Sequence, residues 1–137
     1  MKIVRKNEPE ERVDEFVSGA FSDYATENCV DLNYEDYWFV AEDDDRKIIG
    51  SITGRAYYNE VHIGDLIIDK NCRGQNIGTK LVTVVEDEYR RKGFEKISLT
   101  TFGFQAPEFY KKLGYSLEFI REDKDPKLSK YFYCKDL

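Results

Sequence analysis

A chain of 137 residues, 41% of them hydrophobic, can bury one core without help from disulfides or metal, and its formal net charge of -6 sets its surface against nucleic acid. No apolar run approaches the ~18 residues of a membrane span, and the N-terminal "MKIVRKNEPEERV" turns charged at once, so neither a membrane span nor a signal peptide is expected and a cytosolic setting is. Cys29, Cys72 and Cys134 are odd in number, widely spaced and without a CxxC pair, which argues for reduced thiols over a disulfide framework or a zinc site.

No repeat, low-complexity tract or Pro/Gly/Ser-rich linker divides the sequence, so its elements are expected to share one core in a single domain, residues 1–137. "MKIVRK" reads as a strand. Val13, Phe16, Val17, Ala20, Phe21 and Tyr24 recur at three and four residues and predict an amphipathic helix from about Glu8, with Pro9 in its first turn. "YWFVAE" and "KIIGSITGRAYY" form a hairpin around Glu42-Asp43-Asp44-Asp45, a run that is either a solvated turn or a lure for cationic substrates. "EVHIGDLIID" is a third strand, in which Gly64 marks a candidate bulge. Ile77, Leu81, Val84, Val85 and Tyr89 then mark a helix that ends near Lys92-Gly93. After the strand "EKISLTTF", Ala106, Phe109, Tyr110 and Leu113 predict a short helix ending at Gly114, and "YSLEFIRE" and "KYFYCKDL" close the chain as strands. The order β-α-β-β-β-α-β-α-β-β predicts an α+β fold, a mixed sheet with helices packed on it.

The loop between the third strand and the second helix, "IIDKNCRGQNIGTKL", carries the chemistry. A helix starting at Ile77 leaves its first amides without intrahelical partners, and a glycine-containing loop can turn further amides toward the same point, which makes an anion site. Gly74 and Gly78 remove side chains where a phosphate would touch the backbone, and Arg73 adds a planar donor fork. The spacing matches neither the nucleotide P-loop nor GxGxxG, and the bare pattern of two glycines and an arginine before a helix suits a plain N-cap loop as well as a ligand site.

"LIIDKNCRGQNIGTKLV" resembles the signature of the GNAT acetyltransferases, and "APEFYKKLGY" resembles that family's second motif, in the same order along the chain. The resemblance implies the acyl-CoA N-acyltransferase fold with a splayed central sheet, and acetyl-CoA as co-substrate. It implies that Arg73, Gly74, Gln75, Asn76, Ile77, Gly78 and Thr79 bind the coenzyme A pyrophosphate and that the main chain of Leu66, Ile67 and Ile68 pairs with the pantetheine arm. The third strand would part from "EKISLTTF" to admit the thioester. Asn76 stands where the family usually has a glycine, tolerable because Asn adopts left-handed dihedrals more readily than other side chains. Gly103 stands where an asparagine often precedes the second motif, leaving Gln105 as the nearest amide.

By the same resemblance Tyr110 would protonate the departing thiolate, although its spacing equally suits a core residue. His62, the only histidine, is a candidate general base with an ordinary pKa near 6.5, and Glu60, Asp65 and Asp69 are alternatives. Tyr24, Tyr34 and Glu35 are candidates for the acceptor site, and Cys72 has no base at a recognisable spacing. The implied activity is transfer of acetyl from acetyl-CoA to a primary amine by direct attack in a ternary complex, with no metal. The rivals are a non-catalytic acyl-CoA sensor on the same fold and a phosphate-binding module that ignores coenzyme A. Neither nucleic acid nor membrane is an expected partner, and a homodimer is left open.

Overall fold

A computed structural model describes Met1–Leu137, which fall into two units, residues 1–33 and 34–137. The first unit holds α1 (Glu11–Glu27), which begins three residues later than expected because Glu10 is extended and accepts the Val13 and Asp14 amides. Of α1 only Ala25 is buried, while Phe16, Phe21 and Tyr24 are exposed. The expected strand "MKIVRK" does not form. An extended segment is stable only when a neighbouring strand satisfies its N–H and C=O groups, and residues 1–6 belong to no ladder.

The second unit is one six-stranded mixed sheet in the order β1-β2-β3-β4-β6-β5. Its strands are β1 (Glu35–Glu42), β2 (Ile48–Tyr57), β3 (Glu60–Ile68), β4 (Lys96–Phe102), β5 (Ser116–Arg121) and β6 (Lys130–Asp136). Two helices, α2 (Ile77–Arg91) and α3 (Pro107–Lys112), interrupt them as expected. In the β1–β2 turn Asp43 Oδ1 accepts the amides of Asp45 and Lys47 at 3.0 and 2.9 Å, so the acidic run is a turn capped by its own side chain. No helix is long and apolar enough to cross a membrane.

The core lies on one face of the sheet, where Leu81, Val82, Val85 and Tyr89 of α2 cluster with Ile52, Val61, Ile97 and Leu99. The buried stripe of α2 holds Leu81, Val85 and Tyr89 as expected, but Val82 is inside in place of Val84, which is exposed. Glu86 is buried in this layer, accepts from the Tyr115 hydroxyl at 2.9 Å and meets Lys135 Nζ at 3.0 Å. The carboxylate thereby ties α2 to β6 and to the turn after α3, and its charge is paired rather than orphaned.

The feature that positions the site is an irregularity in β3. Thr53 faces Asp65 but Gly54 faces Ile63, so Gly64 is an extra residue, the bulge suspected from the sequence. A regular strand would send Asp65 to the core side with Val61 and Ile63. The bulge instead returns it to the side of His62, because one inserted residue inverts the alternation. Opposite the bulge, a Cβ on Gly54 would collide with the His62 carbonyl and crowd the Tyr37 hydroxyl, which donates to that carbonyl at 3.1 Å. We therefore expect Gly54→Ala to lower stability by about 1–3 kcal/mol, read as a lower urea midpoint at unchanged slope. An unchanged midpoint would show that the bulge tolerates a methyl group.

Candidate active site

Pairing between β3 and β4 covers four positions, Glu60↔Lys96 to Ile63↔Leu99, and then stops at the bulge. Past that point the β4-facing edge of Gly64–Ile68 has no ladder partner, while Asp65–Ile68 stay paired with β2 on the other edge. A cavity of about 980 Å³ opens there. It runs from Leu66, Ile67 and Ile68 past Arg73, Gly74, Asn76, Ile77, Gly78 and Thr79, and is closed on the other side by Thr100, Thr101 and α3. The splay expected from the resemblance is therefore present, and one groove joins the strand edge to the loop.

The loop's geometry follows from two left-handed residues, Gly74 (φ 78°) and Asn76 (φ 59°, ψ 18°). Asn76 also starts α2, since the Lys80 amide bonds its carbonyl at 3.0 Å, which leaves the Ile77, Gly78 and Thr79 amides without intrahelical partners at the groove. This is a site suited to an anion. Three expectations change in detail. Gln75 is exposed and does not line the groove. Gly78 is small for packing, because a Cβ there would press on the Phe109 ring at 3.3 Å. Arg73 Nε lies 3.4 Å from the Ile68 carbonyl, so its fork folds back toward the strand end.

Gly103 is explained by space, since any Cβ there would overlap the Pro126 carbonyl. Gln105 lines the groove, its Oε1 accepting the Phe102 amide at 2.9 Å and its NH₂ still available. Tyr110 is 7% exposed, its ring edge-on to Phe109 and Tyr115, yet it also lines the groove. Core packing and a catalytic position are thus compatible. Burial pushes its hydroxyl up to about 12, which keeps the proton on it at neutral pH.

A second cavity, of about 570 Å³, is lined by Asp36, Trp38, Thr53, Arg55, His62 and Asp65, and Gly64 and Asp65 line both cavities. The two spaces meet at the bulge. His62 is half-buried, and desolvation pulls its pKa below the ordinary value, against Glu60, which raises it, and with Arg55 and Lys130, which lower it further. Of the alternatives, Asp65 shares this cavity, whereas Asp69 accepts the Asn71 amide at 2.8 Å and ends the strand. Glu35 pairs with Lys92 at 2.6 Å, Tyr34 donates to Asp36 at 3.0 Å, and neither lines the cavity. Cys72 lines the groove beside the loop. Trp38 is 70% exposed and lines the second cavity. Its alternation with buried Tyr37 could have revealed this.

The family model for the acetyltransferase (GNAT) family matches residues 4–115. The chain belongs to that family. Among its relatives, blasticidin-S acetyltransferase of Streptomyces morookaense is 28% identical over 66% of this chain and 68% of its own length. The chain spans about half the length of the other curated relatives it matches. The crystal structure of an acetyltransferase from Bacillus cereus ATCC 14579 superposes with a TM-score of 0.80 at 30% identity, covering 98% of both chains. An aminoglycoside 6'-N-acetyltransferase complexed with coenzyme A shares the fold, with a TM-score of 0.66 at 18% identity over 99% of this chain and 97% of that one. GNAT proteins are acyltransferases, and the groove along β3 and the α2 N-terminus fits an acyl-CoA.

The left-handed Asn76 yields a direct test. Asn76→Gly relieves the side chain's steric cost at φ 59° but loosens the unfolded chain, so stability should rise by between zero and about 1 kcal/mol. Acetyl-CoA affinity by calorimetry should hold or tighten. A clear loss would show that the asparagine side chain makes a contact with the ligand.

Proposed function

We propose that the protein transfers acetyl from acetyl-CoA to a primary amine by direct attack in a ternary complex. The observation that carries this reading is the junction of two cavities at Gly64 and Asp65, one bearing Tyr110 and the anion-binding loop and the other bearing His62. A thioester held along the free edge of β3 and an amine in the second cavity would meet where β3 leaves β4. Binding both reactants in register can supply roughly 7–11 kcal/mol of the barrier, and an acid or base about 10²- to 10⁴-fold more.

In this reading the free amides of the β3 edge hold the pantetheine arm and stabilise the carbonyl oxygen as it gains charge. The Tyr110 hydroxyl supplies the proton to the leaving sulfur, for which its raised pKa suits it. His62 takes a proton from the attacking amine. The acceptor is a cation, drawn to the Trp38 ring and the Asp36 and Asp65 carboxylates that line its cavity. Blasticidin-S, which one relative's name gives as its substrate, belongs in the panel with small amines, polyamines and peptide N-termini. Tyr110 and His62, each at one side of the junction, weigh against a sensor without catalysis.

The tests are ordered. Acetyl-CoA at a hundred times its Kd should stabilise the fold by about 2.7 kcal/mol, and ATP should not; no thermal shift at millimolar acetyl-CoA would remove the cofactor assignment. With an amine that releases coenzyme A, Tyr110→Phe should cut turnover about 10²-fold or more. Its melting temperature should barely change, since phenylalanine keeps the ring packed against Phe109 and Tyr115. The acid limb of kcat/KM should lie below about 6.5, because a base with a depressed pKa stays unprotonated to lower pH. His62→Gln should abolish that limb. A limb that survives the substitution would assign it to Asp65 or to the amine itself.

A further inference from the structure

The proposal that follows rests on His62 as the base and concerns what makes one of its two nitrogens basic. His62 and Ser98 are register partners across β3 and β4, and Glu60, two residues before His62, lies on the same side of the sheet. Ser98 Oγ donates to Glu60 Oε1 in a short hydrogen bond. The same oxygen stands 3.3 Å from His62 Nδ1. A serine hydroxyl has one proton and two lone pairs, so once the proton is committed to Glu60 the oxygen can only accept from the ring. Nδ1 must then carry the hydrogen of the neutral imidazole, and Nε2 the lone pair.

We propose that Glu60, Ser98 and His62 form a hydrogen-bond relay that locks the Nδ1–H tautomer and presents Nε2 as the proton acceptor in the Trp38 cavity. Ser98 and Glu60 are positioning residues, acting through His62. Nε2 takes one proton from the substrate ammonium, and the freed nitrogen pair forms the C–N bond as the C–S bond breaks with its electrons on sulfur. Sulfur takes the Tyr110 proton, the second proton lost by nitrogen restores Tyr110, and the imidazolium releases its proton to water. The sum is acetyl-CoA plus ammonium giving amide, free thiol and one proton. The positive charge on the ring is met through Ser98 by the Glu60 carboxylate, as an orienting carboxylate does in other histidine-centred sites.

The groups around the ring make the arrangement necessary. Arg55 on β2 and Lys130 on β6 oppose protonation, and burial opposes it more strongly. Asp36 on β1 and Asp65 on β3 line the same cavity. Lys96 on β4 stands 3.9 Å from Glu60, and Cys134 on β6 is the register partner of Ser98. Glu60 is the acidic group that raises the basicity of the ring, and Ser98 is its link to Nδ1.

Because His62 is the only histidine, long-range ¹H–¹⁵N correlation spectra of the labelled full chain report one imidazole without assignment. Above its pKa the wild-type ring should show a protonated Nδ1 and a bare Nε2. Ser98→Ala should move it toward the Nε2–H form, Ser98→Thr should keep the wild-type pattern, and Glu60→Gln should lower the ring's pKa. A wild-type ring already in the Nε2–H form, or a tautomer indifferent to Ser98→Ala, overturns the relay. The same variants assayed with an amine that the wild type acetylates should show kcat/KM reduced about tenfold or more in Ser98→Ala and recovered in Ser98→Thr. An acid limb of kcat/KM that persists in His62→Gln while the tautomer pattern holds would overturn the base assignment and with it the relay's catalytic role. A wild-type ring without the Nδ1–H pattern, together with an acid limb that does depend on His62, would overturn the relay alone.

Discussion

β3 pairs with β4 as far as Ile63 and then parts from it, and the unpaired backbone edge that results is the constraint on which the site depends. Main-chain N–H and C=O groups turned away from water need partners, and from Asp65 to Ile68 one edge of this strand has β2 while the other has only the groove. An extended amide-bearing ligand can supply what β4 no longer does. The cause of the parting is local. One extra residue at Gly64, accommodated by a Gly54 that admits no side chain, shifts the register and bends β3 away.

The same bulge decides which side chains meet. It returns Asp65 to the side of the sheet that carries His62, and it is the point at which the two cavities join. A regular strand would bury the Asp65 carboxylate against the core, at a cost that an apolar interior does not refund. Recognition is thereby divided. Backbone groups of β3 and of the α2 N-terminus face one cavity, and the charged and aromatic side chains of Asp36, Trp38, Arg55 and Asp65 face the other. In the proposed function, a binding mode carried by main chain would tolerate a side-chain change such as the one at Asn76, whereas an acceptor site built from side chains would be free to diverge residue by residue.

The electrostatics of the two sides differ in kind. Tyr110 is shifted by burial alone, so its proton is held wherever the ring stays packed against Phe109 and Tyr115. His62 is set by a balance between burial, two cations and one carboxylate, with burial the largest influence and the net shift downward. The Ser98 hydroxyl between Glu60 and Nδ1 converts that balance into a direction, by deciding which ring nitrogen is left to the cavity.

Periodicity and turn chemistry were enough to place α2, α3 and all six strands of the second unit, because each is a run whose local spacing agrees with its surroundings. The turn of the loop before α2 was equally legible, since glycine, asparagine and a helix start are local signals. The strand expected at "MKIVRK" failed for the opposite reason: extended structure depends on a partner that the segment itself does not encode. Val84 and Val82 exchanged places because apolar residues at neighbouring helical positions leave the rotation of α2 to the packing against the sheet. Ser98 was invisible as a functional residue, since nothing in "EKISLTTF" distinguishes it from any serine in a strand. It gains a role only because the parallel register sets it opposite His62, 36 residues away, with Glu60 on the same side. The sequence by itself determined the elements and the left-handed loop that opens α2, which are properties of neighbouring residues; tertiary structure decided the bulge's consequences, the exposure of Trp38 and the company of His62, because pairing between distant strands selects which side chains share a surface.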